Sequence, residues 1–267
     1  MIVFPNAKIN LGLNIVSKRP DGYHNLETVF YPLELCDALE VVPASNPSFT
    51  PSGIAIDGDS QTNLVMKAFH LLKAHYDLPE IAIYLQKNIP FGAGLGGGSA
   101  DAAFMLKLLN EFAELHLSNE QLEEYAVQLG ADCPFFIQNQ PVFAEGIGNI
   151  FSPVPFSLSG YYVGLVKPDI HVSTQAAYSA VKPGKPHESI LTIIQDPVDT
   201  WKGRLVNDFE ASVFPAYPAI GRIKEKLYEL GAVYASMSGS GSTVFGIFKT
   251  PEKLSPEFPD CFTYMHV

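Results

Sequence analysis

The chain has 267 residues, 47% of them hydrophobic and 17% charged, as in a soluble globular protein long enough for one large or two modest cores. A formal net charge of −11 argues against nucleic acid or an anionic membrane as partner, while a small anionic substrate held by local positive potential stays possible. No basic stretch precedes a long apolar run at the start, so no signal peptide is expected; Cys36, Cys133 and Cys261 have neither zinc spacing nor a disulfide framework and suit the reducing cytoplasm.

Ala7–Val16 reads as a strand. Ile9, Leu11, Leu13 and Ile15 face one way, and Lys8, Asn10, Gly12 and Asn14 face the other, ordinarily a solvated sheet face. Pro20-Asp21-Gly22 is a turn signal, and Leu26–Leu35 returns as the second arm of a hairpin over 11–32. Thr62–Tyr76 reads as a helix with Leu64, Ala68, Leu71 and Leu72 inward. Ile81, Ile83 and Leu85 then alternate with Ala82, Tyr84 and Gln86, the period of a strand with one buried face. Met105, Leu108, Leu109 and Phe112 follow helical spacing. Ser118 and Gln121 form a capping box that opens a helix to Leu129, closed by Gly130.

The proline-rich stretch Phe151–Ser159 suggests a boundary, giving domains 1–153 and 154–267. Beyond it come a strand at Tyr161–Val166, a short helix at Thr174–Val181 and a helix at Ile220–Leu230. A second glycine loop, Ser236–Gly246, runs into a strand at Thr243–Phe248. Strands alternate with helices, so the class is α+β or α/β.

Between the strand at Ile81 and the helix at Met105 lies PFGAGLGGGSADAA, Pro90–Ala103. Five of the seven residues from Gly92 to Gly98 are glycine. Ser99 stands where an N-cap belongs, and Asp101 suits a first turn. The order strand, glycine loop, helix N-terminus aims free amides and the positive end of the helix dipole into the loop, an anion site fit for phosphate. A Walker-type loop requires a Gly-Lys-Ser/Thr ending, and no lysine lies between Gly92 and Ala103. Gly92, Gly94 and Gly97 satisfy GxGxxG, but no second strand carries the acidic residue a dinucleotide site requires. The strand and lysine of a protein-kinase loop are also missing.

Lys8, Asn10, Tyr23, His24 and Asp132 each have a plain structural reading when taken alone. Their order is more telling. PNAKINLGLNI, RPDGYHNLETVF, PFGAGLGGGSADAA, GADCPFF and SMSGSGSTVF follow one another, and the set resembles the GHMP kinase superfamily of small-molecule kinases from near residue 4 to near residue 248. KINLGL with DGYH points to members acting on a cytidine-diphosphate-linked polyol in the non-mevalonate route to isoprenoid precursors.

The resemblance implies two α/β domains with the active site in the cleft between them, the hairpin 11–32 facing the substrate. It implies Lys8 and Asp132 as catalytic pair. The implied nucleotide contacts are Asn63, Leu64 and Val65 at the adenine, Gly92, Gly94, Leu95, Gly96, Gly97, Gly98 and Ser99 at the phosphates, and Lys87 as a phosphate-facing cation. The implied substrate contacts are Asn10, Tyr23 stacked on cytosine, His24 on its edge, Thr174, Tyr178 as a second aromatic, and Gly239 and Ser240. ATP and Mg²⁺ are the implied cofactors, with the protein ligand of the metal left open. One departure is Asn149 in EGIGN, where an acidic residue is expected. Two alternatives remain: a related kinase acting on mevalonate, homoserine or a sugar, against which DGYH speaks, and a nucleotide-binding sensor, which has no use for both Lys8 and Asp132.

Overall fold

Residues 1–55, 62–179 and 181–266 are described by the computed structural model. Their contacts form two compact units, each built from several segments. One holds Met1–Ala7, Pro32–Phe91 and Gly96–Gln140; the other holds Lys8–Tyr31, Gly92–Leu95 and Pro141–Val267. The sequence suggests a single cut after residue 153, but the contacts assign the hairpin and the start of the glycine loop to the C-terminal part.

The first unit is a sheet with helices packed on it. Its strands are β1 (Ile2–Val3), β4 (Ala38–Pro43), β5 (Ser48–Gly53) and β6 (Ile81–Lys87), in the order β1-β4-β6-β5. β4 runs antiparallel to β6, with Val41 opposite Ile83, and β5 runs parallel to β6, with Phe49 opposite Ile83. Helices α1 (Leu64–Lys73), α2 (Gly97–Phe112), α3 (Asn119–Leu129) and α4 (Phe135–Gln138) complete the unit. α2 is the central helix, packed against α1, α3, α4, β1 and β4. Its first turns bury Ala100, Ala102 and Ala103, whose small side chains allow close approach, and Met105, Leu108 and Leu109 continue the buried face. The inward face of α1 is wider than the sequence suggests: Val65, Met66 and Phe69 are buried, while Leu64 and Leu71 are half-buried.

The second unit contains two sheets. In one, β2 (Asn6–Lys18), β3 (His24–Cys36), β7 (Val142–Glu145) and β8 (Ile150–Pro153) are neighbours in that order. The first residues of β2 and the last of β3 run on into the other unit. In the other sheet the order is β10 (Tyr234–Met237), β11 (Val244–Phe248), β9 (Tyr162–Pro168) and β12 (Cys261–His266), antiparallel throughout. Helices α5 (Thr174–Tyr178), α6 (Ile190–Ile193), α7 (Glu210–Ala216) and α8 (Pro218–Glu229), with a 3-10 turn at Val198–Thr200, complete this unit. Leu13, Ile15, Val166, Phe209, Val213, Ile220, Leu227 and Phe248 share its core. The helix expected over Thr174–Val181 ends at Tyr178, and Ala180 lies outside the described residues.

The polar face of β2 is not solvated. Every residue from Asn6 to Ile15 is buried, including Lys8, Asn10 and Asn14. Burying amides and an ammonium without partners is unfavourable, so this face is where to look for organised polar contacts.

Candidate functional site

In the second unit the buried face of β2 forms a connected polar cluster. Lys8 Nζ donates to Asn10 Oδ1 at 2.7 Å and lies 4.7 Å from the ring centre of Phe30, a cation–π contact. Asn10 Nδ2 donates to Thr28 Oγ1 at 3.1 Å, and the Thr28 hydroxyl donates to the carbonyl of Gly12. The backbone amide of Asn10 donates to Ser238 Oγ at 3.3 Å, and Ser238 Oγ donates to Gly94 O at 2.8 Å. The amide of Lys8 donates to Leu95 O at 2.9 Å. The start of the first glycine loop, the second glycine loop and the Lys8 strand therefore meet within one unit.

Gly94 shows why glycine is required. Its φ is 76°, and a Cβ there would stand 2.1 Å from Ser238 O. Gly239 approaches Asn10 less closely, with an ideal Cβ 3.4 Å from Asn10 Oδ1. Asn207 Nδ2 donates to Met237 O at 2.7 Å and Gly239 O at 2.8 Å, pinning the second loop, and Ser240 beside it is half-buried. The roles of Thr28, Phe30, Asn207 and Ser238 were not read from the sequence. Thr28 and Phe30 share the returning arm, but a residue's inward direction is visible only once the strands pair.

At the tip of the hairpin, the amide of Tyr23 donates to Asp21 Oδ1 at 3.1 Å and Tyr23 O accepts from Arg19 N at 2.8 Å, leaving the Tyr23 side chain 63% exposed. His24 stacks on Tyr178 with ring centres 4.8 Å apart, and Tyr178 meets Phe209 edge-on at 4.7 Å. The structure thus brings two of the proposed base contacts together. Thr174 is exposed as the first residue of α5, which Ser173 caps.

The first unit holds the rest. α2 begins three residues earlier than the sequence suggests: Gly96, at φ 72°, is the cap, and no side chain caps the helix. Ser99 is therefore not the N-cap, because the glycine's left-handed conformation already starts the helix. The first intrahelical bond runs from Ala100 N to Gly96 O at 2.9 Å, so the amides of Gly97, Gly98 and Ser99 precede the helical ladder. Asp101 consequently falls beyond the first turn and is buried.

Asp132 is half-buried in the turn that follows α3. Its neighbour Cys133 has its thiol pushed up to about 11 by burial, with a hydrogen bond to the Ser99 side chain opposing the shift. α4, which follows this turn, packs against α2, whose start is formed by Gly96 and Gly97. Leu64 also reaches this start, since a Cβ on Gly98 would lie 3.7 Å from Leu64 Cδ1. Asn63 caps α1, its Oδ1 accepting from Val65 N at 2.9 Å.

Lys87 departs from its expected role. It is 2% exposed, and its ammonium donates to Asp101 Oδ2 at 2.7 Å and to Asp37 Oδ2. Burial pushes the Asp101 carboxyl up to about 7; Lys87 opposes that shift and Asp37 adds to it. A lysine closed between two carboxylates is not a phosphate-facing cation. No helix among the described residues is long and apolar enough to cross a membrane, and none of their His, Cys, Asp and Glu side chains form a group of three fit to hold a metal.

Residues 63–144 match the GHMP kinases N terminal domain, and residues 198–256 match the GHMP kinases C terminal domain. A 4-diphosphocytidyl-2-C-methyl-D-erythritol kinase of Parabacteroides distasonis is 59% identical over 99% of this chain and 98% of its own length. One of Bacteroides fragilis is 62% identical over 96% of this chain and 94% of its own. A crystal structure of 4-(cytidine 5'-diphospho)-2C-methyl-D-erythritol kinase superposes with a TM-score of 0.84 at 31% identity, covering 100% of this chain and 98% of that one.

Proposed function

Because the chain belongs to the GHMP kinases, we propose that it transfers the terminal phosphoryl group of ATP to a hydroxyl of 4-diphosphocytidyl-2-C-methyl-D-erythritol, the 2-position by resemblance. The substrate follows from relatives that share nearly the whole chain. The chemistry rests on one observation above the others: a helix that starts with no side-chain cap and packs against α4, the helix that follows the Asp132 turn.

Phosphoryl transfer depends mainly on in-line placement and on neutralising charge. The amides of Gly97, Gly98 and Ser99, at the positive end of α2, suit the triphosphate. Asn63, Leu64 and Val65, at the start of α1, would lie along the adenine. Asp132 would orient the acceptor hydroxyl and take its proton late, as the new oxygen–phosphorus bond forms and the bond to the ADP oxygen breaks. An alcohol is too weak an acid to surrender that proton to a carboxylate beforehand. Lys8, fixed by Asn10 and Phe30, would draw on the transferring group.

Tyr23, exposed at the hairpin tip, supplies a face for cytosine, with His24, Tyr178 and Thr174 completing the base end. Asn10, Gly239 and Ser240 serve the polyol end. Magnesium, when bound with the nucleotide, would supply charge neutralisation to the triphosphate that the start of α2 holds. The reaction would take place in the cytoplasm.

Asp132→Asn tests the assignment. Loss of a general base costs about 10²–10⁴-fold in rate, so turnover should fall within that range while ATP affinity, measured by calorimetry, stays at the wild-type value. Unchanged turnover would remove Asp132 from the mechanism.

A further inference from the structure

Three segments of the first unit meet at a buried group of charges that the proposed reaction does not use. Asp37 stands between β3 and β4, Lys87 ends β6, and Asp101 lies near the start of α2. The Lys87 ammonium is hydrogen-bonded to both carboxylates, and all three side chains are at most 4% exposed. Asp37 Oδ1 also accepts from the amides of Asn88 at 2.6 Å and Ile89 at 2.8 Å, which fixes the chain as it leaves β6. Asn88 Nδ2 donates to Cys36 O at 2.9 Å and closes the same junction. Gly97, the first residue of α2, rests on this platform: a Cβ there would meet Ile89 Cγ2 at 2.8 Å and Lys87 Nζ at 3.4 Å.

We propose that Asp37, Lys87 and Asp101 are positioning residues for the phosphoryl donor, locking the end of β6 to the start of α2 so that the amides of Gly97, Gly98 and Ser99 stand ready as a preformed phosphate cradle. The proposal rests on reading the start of α2 as the phosphate site. Attraction by charge does not explain the cluster, since two carboxylates outnumber one ammonium. Stability explains it poorly too. Buried ion groups replaced by apolar residues of similar volume are often neutral or stabilising, and Asp101 Oδ1 is buried with no hydrogen-bond partner among the described residues, a further unfavourable term. What an ion triad provides and an oily contact does not is a fixed direction and distance. A phosphate cradle without a side-chain cap depends on both, because small displacements of groups that hold a reacting ligand weaken it steeply.

The test compares wild type with Asp101→Asn, Lys87→Met and the charge-free triple variant Asp37→Asn/Lys87→Met/Asp101→Asn. Calorimetric titration with Mg·ADP is run beside thermal unfolding and steady-state kinetics. The expected result is a Kd for Mg·ADP and a KM for ATP raised about tenfold or more in every variant, with the acceptor KM unchanged. The triple variant should keep its fold yet fail to recover nucleotide affinity. Variants that lose thermal stability but bind Mg·ADP like wild type would overturn the proposal and leave the triad a packing feature. Asp101→Asn preserves volume and decides the matter alone should Lys87→Met not fold. Wild type failing to bind Mg·ADP would bring down the phosphate-site reading itself, an outcome separate from failure in the variants alone.

Discussion

Helices α2 and α3 belong to the same unit and begin in opposite ways. α3 opens on a capping box: Ser118 Oγ accepts from Gln121 N at 3.3 Å, and Gln121 Oε1 accepts from Ser118 N at 2.9 Å. Its exposed first turn satisfies its own amides with its own side chains. α2 opens on Gly96 with no side chain to cap it, and its first amides belong to buried Gly97 and half-buried Gly98 and Ser99. Local stability favours the first design. The second is useful only where something from outside completes the turn, and the buried triad under α2 supplies the rigidity that a cap supplies to α3.

The sharpest way to break this contrast is Gly98→Ala. Its φ is not in the left-handed region, and the added Cβ would make only ordinary contact with Leu64. Replacing a helical glycine by alanine should stabilise the protein by about 0.5–1 kcal/mol. A phosphate that needs bare backbone should nonetheless bind about tenfold more weakly once the approach is crowded. A variant that is more stable and equally tight for ATP would mean that the glycines serve folding alone.

The triad offers a second handle through pH. Burial pushes the Asp101 carboxyl up to about 7 in the fold, against 3.8 for an ordinary aspartate, so the folded chain holds this proton more tightly than the unfolded chain. Its contribution to stability is full below about pH 4 and is lost as pH rises through about 7. Chemical denaturation of wild type should show that decline across the window, and Asp101→Asn should flatten it. An unaltered slope would place the proton elsewhere.

The smallest effect belongs to α3. Ser118→Ala should lower stability by about 1 kcal/mol and leave both KM values and kcat unchanged. A kinetic effect would show that the two helix starts are not as separate in role as their caps indicate.

Much of this was legible in the sequence. Alternation revealed β2 and β6, helical spacing revealed α2, and the Ser118–Gln121 signature marked the start of α3. Of the elements the sequence does not reveal, three have weak local patterns. β5 is an edge strand with proline at its centre, β12 is a half-buried edge, and α7 carries Pro215 inside it.

At the site, the motif residues were legible because each lies in a compact run. Their supporting partners were not. Lys87 and Asp37 are 50 residues apart, and Asn10 and Ser238 are 228 apart. No periodicity links them, and only the folded sheets do. Lys87 illustrates the trap: a cation just before a phosphate loop reads as a phosphate ligand until two distant carboxylates are found closing on it.

The most direct measurement is ADP release from Mg·ATP in a coupled assay, with 4-diphosphocytidyl-2-C-methyl-D-erythritol, mevalonate, homoserine and galactose offered in turn. The account predicts turnover with the cytidine compound alone. Turnover with one of the other alcohols, or binding of ATP without turnover on any of them, would contradict it.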